Sequence, residues 1–258
     1  EISCSLVGSE MCIRDSPNVE QVMPKLKYSM EECKQIEGNV KEKLQSSPYA
    51  DKVKAQKSYC VFARIRDIIV SSIALIFLSL PMLVIALIIY AEDGHSPFFH
   101  QLRMTANGKT FVMTKFRSMR PDADSPEMLA KVWELNESDG PAFKVENDPR
   151  LTKIGRKLRE TSLDELPQLI NVFLGDMSLV GPRPPLPREV AVYTPYQMNR
   201  LLVKGGLTCI WQTQEKRNET SFDNWMKMDV EYIEKRSFAF DIKLILKTFK
   251  VIVTKQGR

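Results

Sequence analysis

Histidine is scarce in this 258-residue chain, which has only His95 and His100. Both stand just after an apolar segment, so a Ser-His-Asp triad or a multi-histidine metal centre is hard to assemble. Cysteine is sparse and odd in number: Cys4, Cys12, Cys33, Cys60 and Cys209. No two of them have C-x-x-C spacing, which argues against a disulfide framework or a zinc site and for a reducing compartment. No internal repeat or low-complexity tract stands out. Catalysis, if the chain performs it, is left to carboxylates, lysines and arginines.

The chain carries 37 Lys+Arg against 32 Asp+Glu, a net charge of +5. That mild excess suits an anionic partner: a membrane surface, a pyrophosphate or a nucleic acid. The first stretch, 1–16, reads EISCSLVGSEMCIRDS. It has no period and no basic n-region ahead of an apolar core, so it does not read as a signal peptide. It looks like translated sequencing-adapter read-through and is set aside as non-native. Residues 17–59 are polar and lysine-rich, with a weak helical pattern and a break at Ser46-Ser47-Pro48. They read as a solvated extension or helical arm.

Ile68 to Ala91 contains no charged residue. As straight helix it would run about 36 Å, enough to cross a bilayer. Pro81 sits near its middle, after Ser79 and Leu80. A mid-helix proline removes a backbone hydrogen bond and crowds the preceding turn, so it kinks or breaks the helix. Lys52, Lys54, Lys57, Arg64 and Arg66 precede the segment, and Arg103, Lys109, Lys115 and Arg117 follow it. Positive charge marks the cytoplasmic side. Cations at both ends favour a helix-break-helix over 60–92 that enters and leaves by one leaflet, and leave a plain spanning helix open.

Beyond it, Phe98 to Thr105 and Lys109 to Ser118 flank Asn107-Gly108, a hairpin signal. Lys115 and Arg117 share a face of the second strand. Pro126 to Asn136 reads as a short helix, and Leu151 to Arg159 as a basic amphipathic one. The next helix begins near Ser162 to Glu165 and stops at Gly175. Gly181-Pro182-Arg183-Pro184-Pro185 is a stiff extended loop. Asp241 to Val253 is helical, with Lys243, Lys247 and Lys250 to one side, and resembles an interfacial helix lying on anionic lipid.

The run Arg159-Glu160-Thr161-Ser162-Leu163-Asp164-Glu165-Leu166-Pro167-Gln168 admits two readings. Ser162 with Glu165 is a capping box. A helix capped at Asp164 instead puts Pro167 inside the first turn, where proline is tolerated, so Asp164 can be a plain N-cap. Equally, a helix N-terminus attracts phosphate, adjacent carboxylates can hold Mg²⁺, and an aspartate can attack phosphorus. Lys115, Arg117, Arg159 and Arg183 would then neutralise pyrophosphate charge. An apolar segment nearby favours the second reading, because an anionic lipid substrate needs a basic rim.

The block DPRLTKIGRKLRETSLDELPQLINVFLGDMSLVGPRP, Asp148 to Pro184, resembles the signature of the bacterial sugar transferase family, the small monotopic polyprenyl-phosphate phosphoglycosyl transferases. Arg64-Ile65-Arg66-Asp67, Lys115-Phe116-Arg117-Ser118-Met119, Gly206-Leu207-Thr208 with Trp211-Gln212, and Asp229-Val230-Glu231-Tyr232 through Asp241 follow in the family's order, over about Tyr59 to Val253. The resemblance implies an α+β, mainly helical fold: a monotopic protein with a re-entrant helix broken at Ser79 and Pro81, and a small cytosolic catalytic domain (93–258) holding the hairpin. It implies Asp164 as nucleophile, taking the phospho-sugar from a UDP-sugar and releasing UMP. Glu165 completes an acidic dyad, and Mg²⁺ sits at Asp164. Lys115, Arg117, Arg159, Arg183 and Asp241 are the polar substrate-site residues. The implied partners are a UDP-sugar, polyprenyl (undecaprenyl) phosphate and membrane lipid, with no nucleic acid and with a homo-oligomer left open. The implied place is the cytoplasmic face of the bacterial inner membrane, in surface glycan or exopolysaccharide assembly. Ala63 before Arg64, Leu80 between Ser79 and Pro81, Gly205, Cys209 and Gln214-Glu215-Lys216-Arg217 depart from the family's pattern. The last of these departures leave the sugar unassigned. A membrane-anchored adaptor and an aspartyl phosphohydrolase are the competing readings.

Overall fold

In the computed structural model, residues 28–143, 145, 147–214 and 219–254 are described. The adapter-like stretch with Cys4 and Cys12, and Glu215-Lys216-Arg217, lie outside them. The chain is mainly helical, with two small sheets. Helix α1 (Met30–Gln45) starts at a capping box: Ser29 Oγ accepts from Glu32 N at 3.2 Å and Glu32 returns the bond at 2.8 Å. It is a helical arm, but not a fully solvated one. Cys33, Val40 and Leu44 are buried, and Val40 and Leu44 join a cluster with Met104, Tyr193 and Met226. The weak pattern in the sequence is this single apolar stripe among lysines and glutamates.

After α2 (Ala50–Ala55), helix α3 runs from Lys57 to Asp93 with Pro81 inside it. The sequence reading expects a break at Pro81, but the helix runs through it as one element. Pro81 has no N–H to give the preceding turn, yet helical geometry resumes beyond it. Ser79 Oγ donates to the Ile76 carbonyl at 2.7 Å in the turn before it. Among the described residues this is the one helix long and apolar enough to cross a membrane, with mean hydropathy 2.8 and only 6% of that window buried. One stripe of α3 faces protein along its whole length. Ala63, Arg66, Asp67 and Ser71 are buried near its start. Ala74, Leu75 and Leu78 pack on the main core, and Met82, Ile85 and Ala86 pack beside buried Ile89. This three-and-four spacing is that of a helix lying along a surface. The opposite side shows Ile76, Phe77, Leu80 and Leu83 to the outside.

The hairpin forms as the sequence implies. Strands β1 (Phe98–Met104) and β2 (Thr110–Phe116) pair antiparallel, from Phe98↔Phe116 to Met104↔Thr110. Asn107 and Gly108 turn the chain at φ 58° and 72°. Helix α4 (Pro126–Glu134) is capped by Ser125 Oγ on Met128 N. Helix α5 (Lys153–Thr161) is capped by Thr152 Oγ1 on Gly155 N. Gly155 presses on the end of β2: a Cβ there would sit 1.9 Å from the Ser118 carbonyl oxygen. Arg159 Nε adds a bond to Ser118 Oγ at 3.1 Å. So α5 and β2 meet at backbone distance, which brings Arg159 towards the strand bearing Lys115.

Helix α6 (Gln168–Leu174) ends on Gly175 at φ 96°. Its last carbonyls are capped by cations. Arg64 donates to Val172 O and Phe173 O, both at 2.7 Å, and Lys204 Nζ to Gly175 O at 2.7 Å. Strand β3 (Ser178–Val180) leads to short helices α7 (Pro187–Val190) and α8 (Pro195–Met198), and then pairs parallel with β4 (Gly206–Thr208). Helices α9 (Phe222–Lys235) and α10 (Phe238–Thr254) complete the order. The main core holds Phe111 and Met113 of β2, Leu169 and Val172 of α6, Tyr232 and Ile233 of α9, and Leu244 of α10. The amphipathic expectation for α10 holds in part: Asp241 and Leu244 are buried, while Leu246 and Phe249 face outwards.

Candidate active site

The hairpin, α5, the Gly181–Pro185 loop and a 3₁₀ turn at Trp211–Thr213 enclose a cavity of about 1000 Å³. Its chemistry converges on Asp164 and Glu165, and the local path that places them differs from the sequence reading. Ser162 does not begin a helix. It stands at φ 56°, closing α5, and its side chain makes no cap bond. A three-residue 3₁₀ turn, Leu163–Glu165, follows, and α6 starts only at Gln168. Asp164 is therefore no N-cap. Its carboxylate accepts no hydrogen bond among the described residues, although it is only 8% exposed. Burial and the neighbouring Glu165 raise its pKa to about 6, against the pull of Lys115, Arg159 and Arg183. At neutral pH it is mostly ionised.

Four of the other expected side chains line the same cavity: Glu165, Lys115, Arg159 and Arg183. Arg183 Nη1 donates to Glu165 Oε1 at 2.8 Å, so the second carboxylate is held by the proline-rich loop. Lys115 has no ion pair among the described residues. Its burial in the cavity wall and the nearby Arg183 push its pKa down to about 7.

Two further expected residues are committed to other bonds. Arg117 borders the cavity, but its guanidinium holds both carboxylate oxygens of Asp93 at 2.5 Å and donates to Ser96 O at 2.7 Å. It fastens the end of α3 to β2. Asp241 does not line the cavity. It is fully buried, and it accepts from Arg66, from Tyr59 at 2.7 Å and from Tyr232 at 3.1 Å. Arg66 also chelates Asp67, whose other oxygen accepts from Ser178 Oγ at 2.7 Å. This network ties the base of α3 to β3 and α10. Ser79 and Pro81 lie on α3, also outside the cavity.

The cavity also holds Arg103, which the sequence reading passed over as a flanking charge. The signal was available: pairing Phe99 with Lys115 puts Phe99, Gln101 and Arg103 on the Lys115 face. A buried Asp148–Arg150 pair, bonded at 2.9 and 2.7 Å, forms part of the far wall.

No group of three or more His, Cys, Asp or Glu side chains converges on a metal position among the described residues. Mg²⁺, however, ordinarily takes one or two carboxylates and completes its shell with water and substrate phosphate. The unbonded Asp164 carboxylate, with Glu165 next to it, fits that donor set.

The family model for bacterial sugar transferases matches residues 58–255. The chain is 46% identical over 166 residues to a galactosyl transferase, CpsE, of Streptococcus agalactiae, covering 64% of this chain and 36% of that one. It is 37% identical over 206 residues to a UDP-glucose:undecaprenyl-phosphate glucose-1-phosphate transferase of Klebsiella pneumoniae, covering 76% of this chain and 41% of that one. With the exopolysaccharide production protein ExoY of Rhizobium meliloti it shares 35% identity over 195 residues, 74% of this chain and 85% of the relative. The chain thus spans less than half the length of the first two relatives and most of the third. Helices α1 and α2 precede the matched region, whereas the hairpin, the acidic pair and the proline-rich loop all fall within it, and the chain belongs to the bacterial sugar transferase family.

Proposed function

We propose that this chain transfers a sugar-1-phosphate from a UDP-sugar to a polyprenyl phosphate such as undecaprenyl phosphate, through an aspartyl intermediate. The observation that carries the reading is the buried, unbonded Asp164 carboxylate facing a cavity walled by Lys115, Arg159 and Arg183. An Asp164 oxygen attacks the sugar-bearing phosphorus of the donor. The new bond is aspartyl O–P, the bond broken is the bridging P–O, and UMP leaves with the electron pair. An oxygen of polyprenyl phosphate then attacks the same phosphorus. The aspartyl bond breaks, the carboxylate is regenerated, and a polyprenyl diphosphate-linked sugar forms. Splitting the transfer in two means the two anionic substrates need not meet at once. Lys115 and Arg183 neutralise charge on the phosphoryl oxygens, and Arg183 also orients Glu165. Asp164 and Glu165 would hold Mg²⁺, which supplies further neutralisation of phosphate charge when bound. The relatives' printed names support both substrates and a place in exopolysaccharide assembly.

The test is a panel of UDP-sugars with and without undecaprenyl phosphate, read by UMP release and by lipid extraction. At least one donor is expected to release UMP and to yield a lipid-linked sugar when acceptor is present. Free sugar phosphate with no loaded lipid would mean a phosphohydrolase. No UMP with any donor would leave the adaptor.

The same reading makes α3 a re-entrant element on the cytoplasmic face of the inner membrane. Both ends of α3 pack on one domain, with Arg66 and Asp67 at the base and Ile89 and Asp93 at the far end. Its outward face is apolar between them. Single cysteines near Lys54 and Lys109, in a background without the five native cysteines, are expected to label from the same side of sealed vesicles. Labelling from opposite sides would mean that α3 spans.

A further inference from the structure

The loop that carries Arg183 is held by its carbonyls. Pro182, Pro184 and Pro185 have no N–H, so the loop has few donors with which to anchor itself. From Pro182 to Pro185 each carbonyl accepts a bond. Gly206 N donates to Pro182 O at 2.9 Å, Arg200 Nη2 to Arg183 O at 2.9 Å, Arg103 Nη1 to Pro184 O at 2.8 Å, and Met104 N to Pro185 O at 2.9 Å. The last two donors come from the end of β1, which pairs with the strand bearing Lys115. The Arg183 loop and the hairpin are thereby fixed to one another.

Thr105, the next residue after β1, closes this arrangement from behind. It is buried and does not line the cavity. Its hydroxyl donates to Asp176 O at 3.2 Å and accepts from Gly205 N at 3.1 Å. The single hydroxyl hydrogen is spent on Asp176, and a lone pair holds Gly205. The backbone at Gly205 and Gly206 lies directly against the Arg183 loop. A Cβ on Gly205 would sit 2.5 Å from Pro184 Cγ, and one on Gly206 2.1 Å from Gly181 N. At this approach a shift of the Gly205 backbone passes to the loop, with no side chain between them to absorb it. One hydroxyl therefore joins the hairpin, the turn after α6 and the backbone on which the Arg183 loop rests.

We propose that Thr105 is a positioning residue for the transfer: through Gly205 it sets where Arg183 stands relative to Glu165 and the phosphoryl group. This rests on the sugar-1-phosphate transfer reading above. Thr105 itself touches no substrate. Arg183 Nη1 meets Glu165 Oε1 at 2.8 Å, and a loop shift of about 1 Å would break that bond. A misplacement of this size can slow a catalysed step by about 10²-fold. Thr105→Val keeps the shape of the side chain but leaves Gly205 N–H buried without its acceptor.

The test takes purified full-length wild type, Thr105→Val, Thr105→Ser, Arg183→Gln and the Thr105→Val/Arg183→Gln double variant. Single-turnover UMP release from a turned-over UDP-sugar is measured beside amide hydrogen exchange and thermal stability. Thr105→Val is expected to speed exchange at Gly205 and Gly206 while α9 stays protected. It should slow UMP release about tenfold or more, and Thr105→Ser should recover most of both losses. In the Arg183→Gln background Thr105→Val should cost less than about twofold, because its effect passes through Arg183. Three results would overturn the assignment: unchanged exchange, faster exchange with an unchanged rate, or an equal loss of rate with and without Arg183. The third, with a lowered Tm, would mean that Thr105 only supports the fold. If Thr105→Val does not fold, Gly205→Ala, which presses on Pro184, enters the same cycle with the same expected rates. Any of these contrary results with an active wild type removes the role of Thr105 and leaves the transfer reading standing. A wild type that releases no UMP from any donor removes both.

Discussion

Asp164→Asn should abolish turnover and leave the fold at least as stable as wild type at neutral pH. Asparagine keeps the shape of the side chain but is no nucleophile, so the covalent step has no route; a loss of roughly 10⁴-fold or more is expected for a group of this kind. The stability half of the expectation follows from the site's electrostatics. The folded-state pKa of Asp164 is raised to about 6, chiefly by burial and then by Glu165. A carboxyl raised in this way favours folding only while protonated. That contribution is complete below the unfolded-state value and is lost as pH rises through about 6, so at pH 7 the ionised side chain works against the fold. Asparagine removes the charge and its repulsion of Glu165. A helix cap would behave in another way, because asparagine caps about as well as aspartate and activity would survive. Steady-state UMP release and a melting curve on the same preparation separate the two. Near-normal activity in the variant would remove Asp164 from the chemistry.

Arg66→Met should be the most damaging change away from the cavity. Arg66 is buried and bonds two buried carboxylates, Asp67 and Asp241, which are 3% and 0% exposed. Methionine fills part of the volume but leaves both anions without the cation that Arg66 supplies. Breaking such a buried network by removing one partner typically costs about 3–5 kcal/mol. For a domain of this size that is a fall of roughly 10 °C in Tm. The loss should appear as lower stability and lower yield, with the surviving folded fraction still releasing UMP. A folded, stable Arg66→Met protein with no activity would return Asp241 and its partners to the reaction itself. The network sits where α3 joins the domain, so the variant should also loosen membrane attachment.

Several features were legible because local chemistry dictates them. Asn107-Gly108 must turn, and Gly175 must end a helix. The misreadings come from partners far away in sequence. Ser162 and Glu165 have capping-box spacing, but α5 already ends on Ser162 in a left-handed conformation, so no helix can start there. Asp241 is expected among the substrate-site residues, yet Arg66, Tyr59 and Tyr232 arrive from elsewhere to bury it. Arg117 shares a face with Lys115 by strand alternation, as expected. Only the return of α3 to β2 at Asp93 shows where its charge is spent. Helix α1 was hidden by its composition, since three buried side chains among many polar ones make a weak period. Helix continuity across Pro81 was hidden as well. Proline forbids one hydrogen bond, and packing of the flanking turns on the domain can hold the rest.

The central claim is a covalent aspartyl phospho-sugar at Asp164. Intact-protein mass spectrometry of the purified enzyme, mixed with a turned-over UDP-sugar and Mg²⁺ but no acceptor, tests it most directly. The account predicts a mass increase of one phospho-sugar on the wild type, mapped to the peptide bearing Asp164 and discharged by added polyprenyl phosphate. It predicts no adduct on Asp164→Asn. UMP release and lipid loading with no adduct on the wild type, or an adduct mapped to another residue, would contradict it.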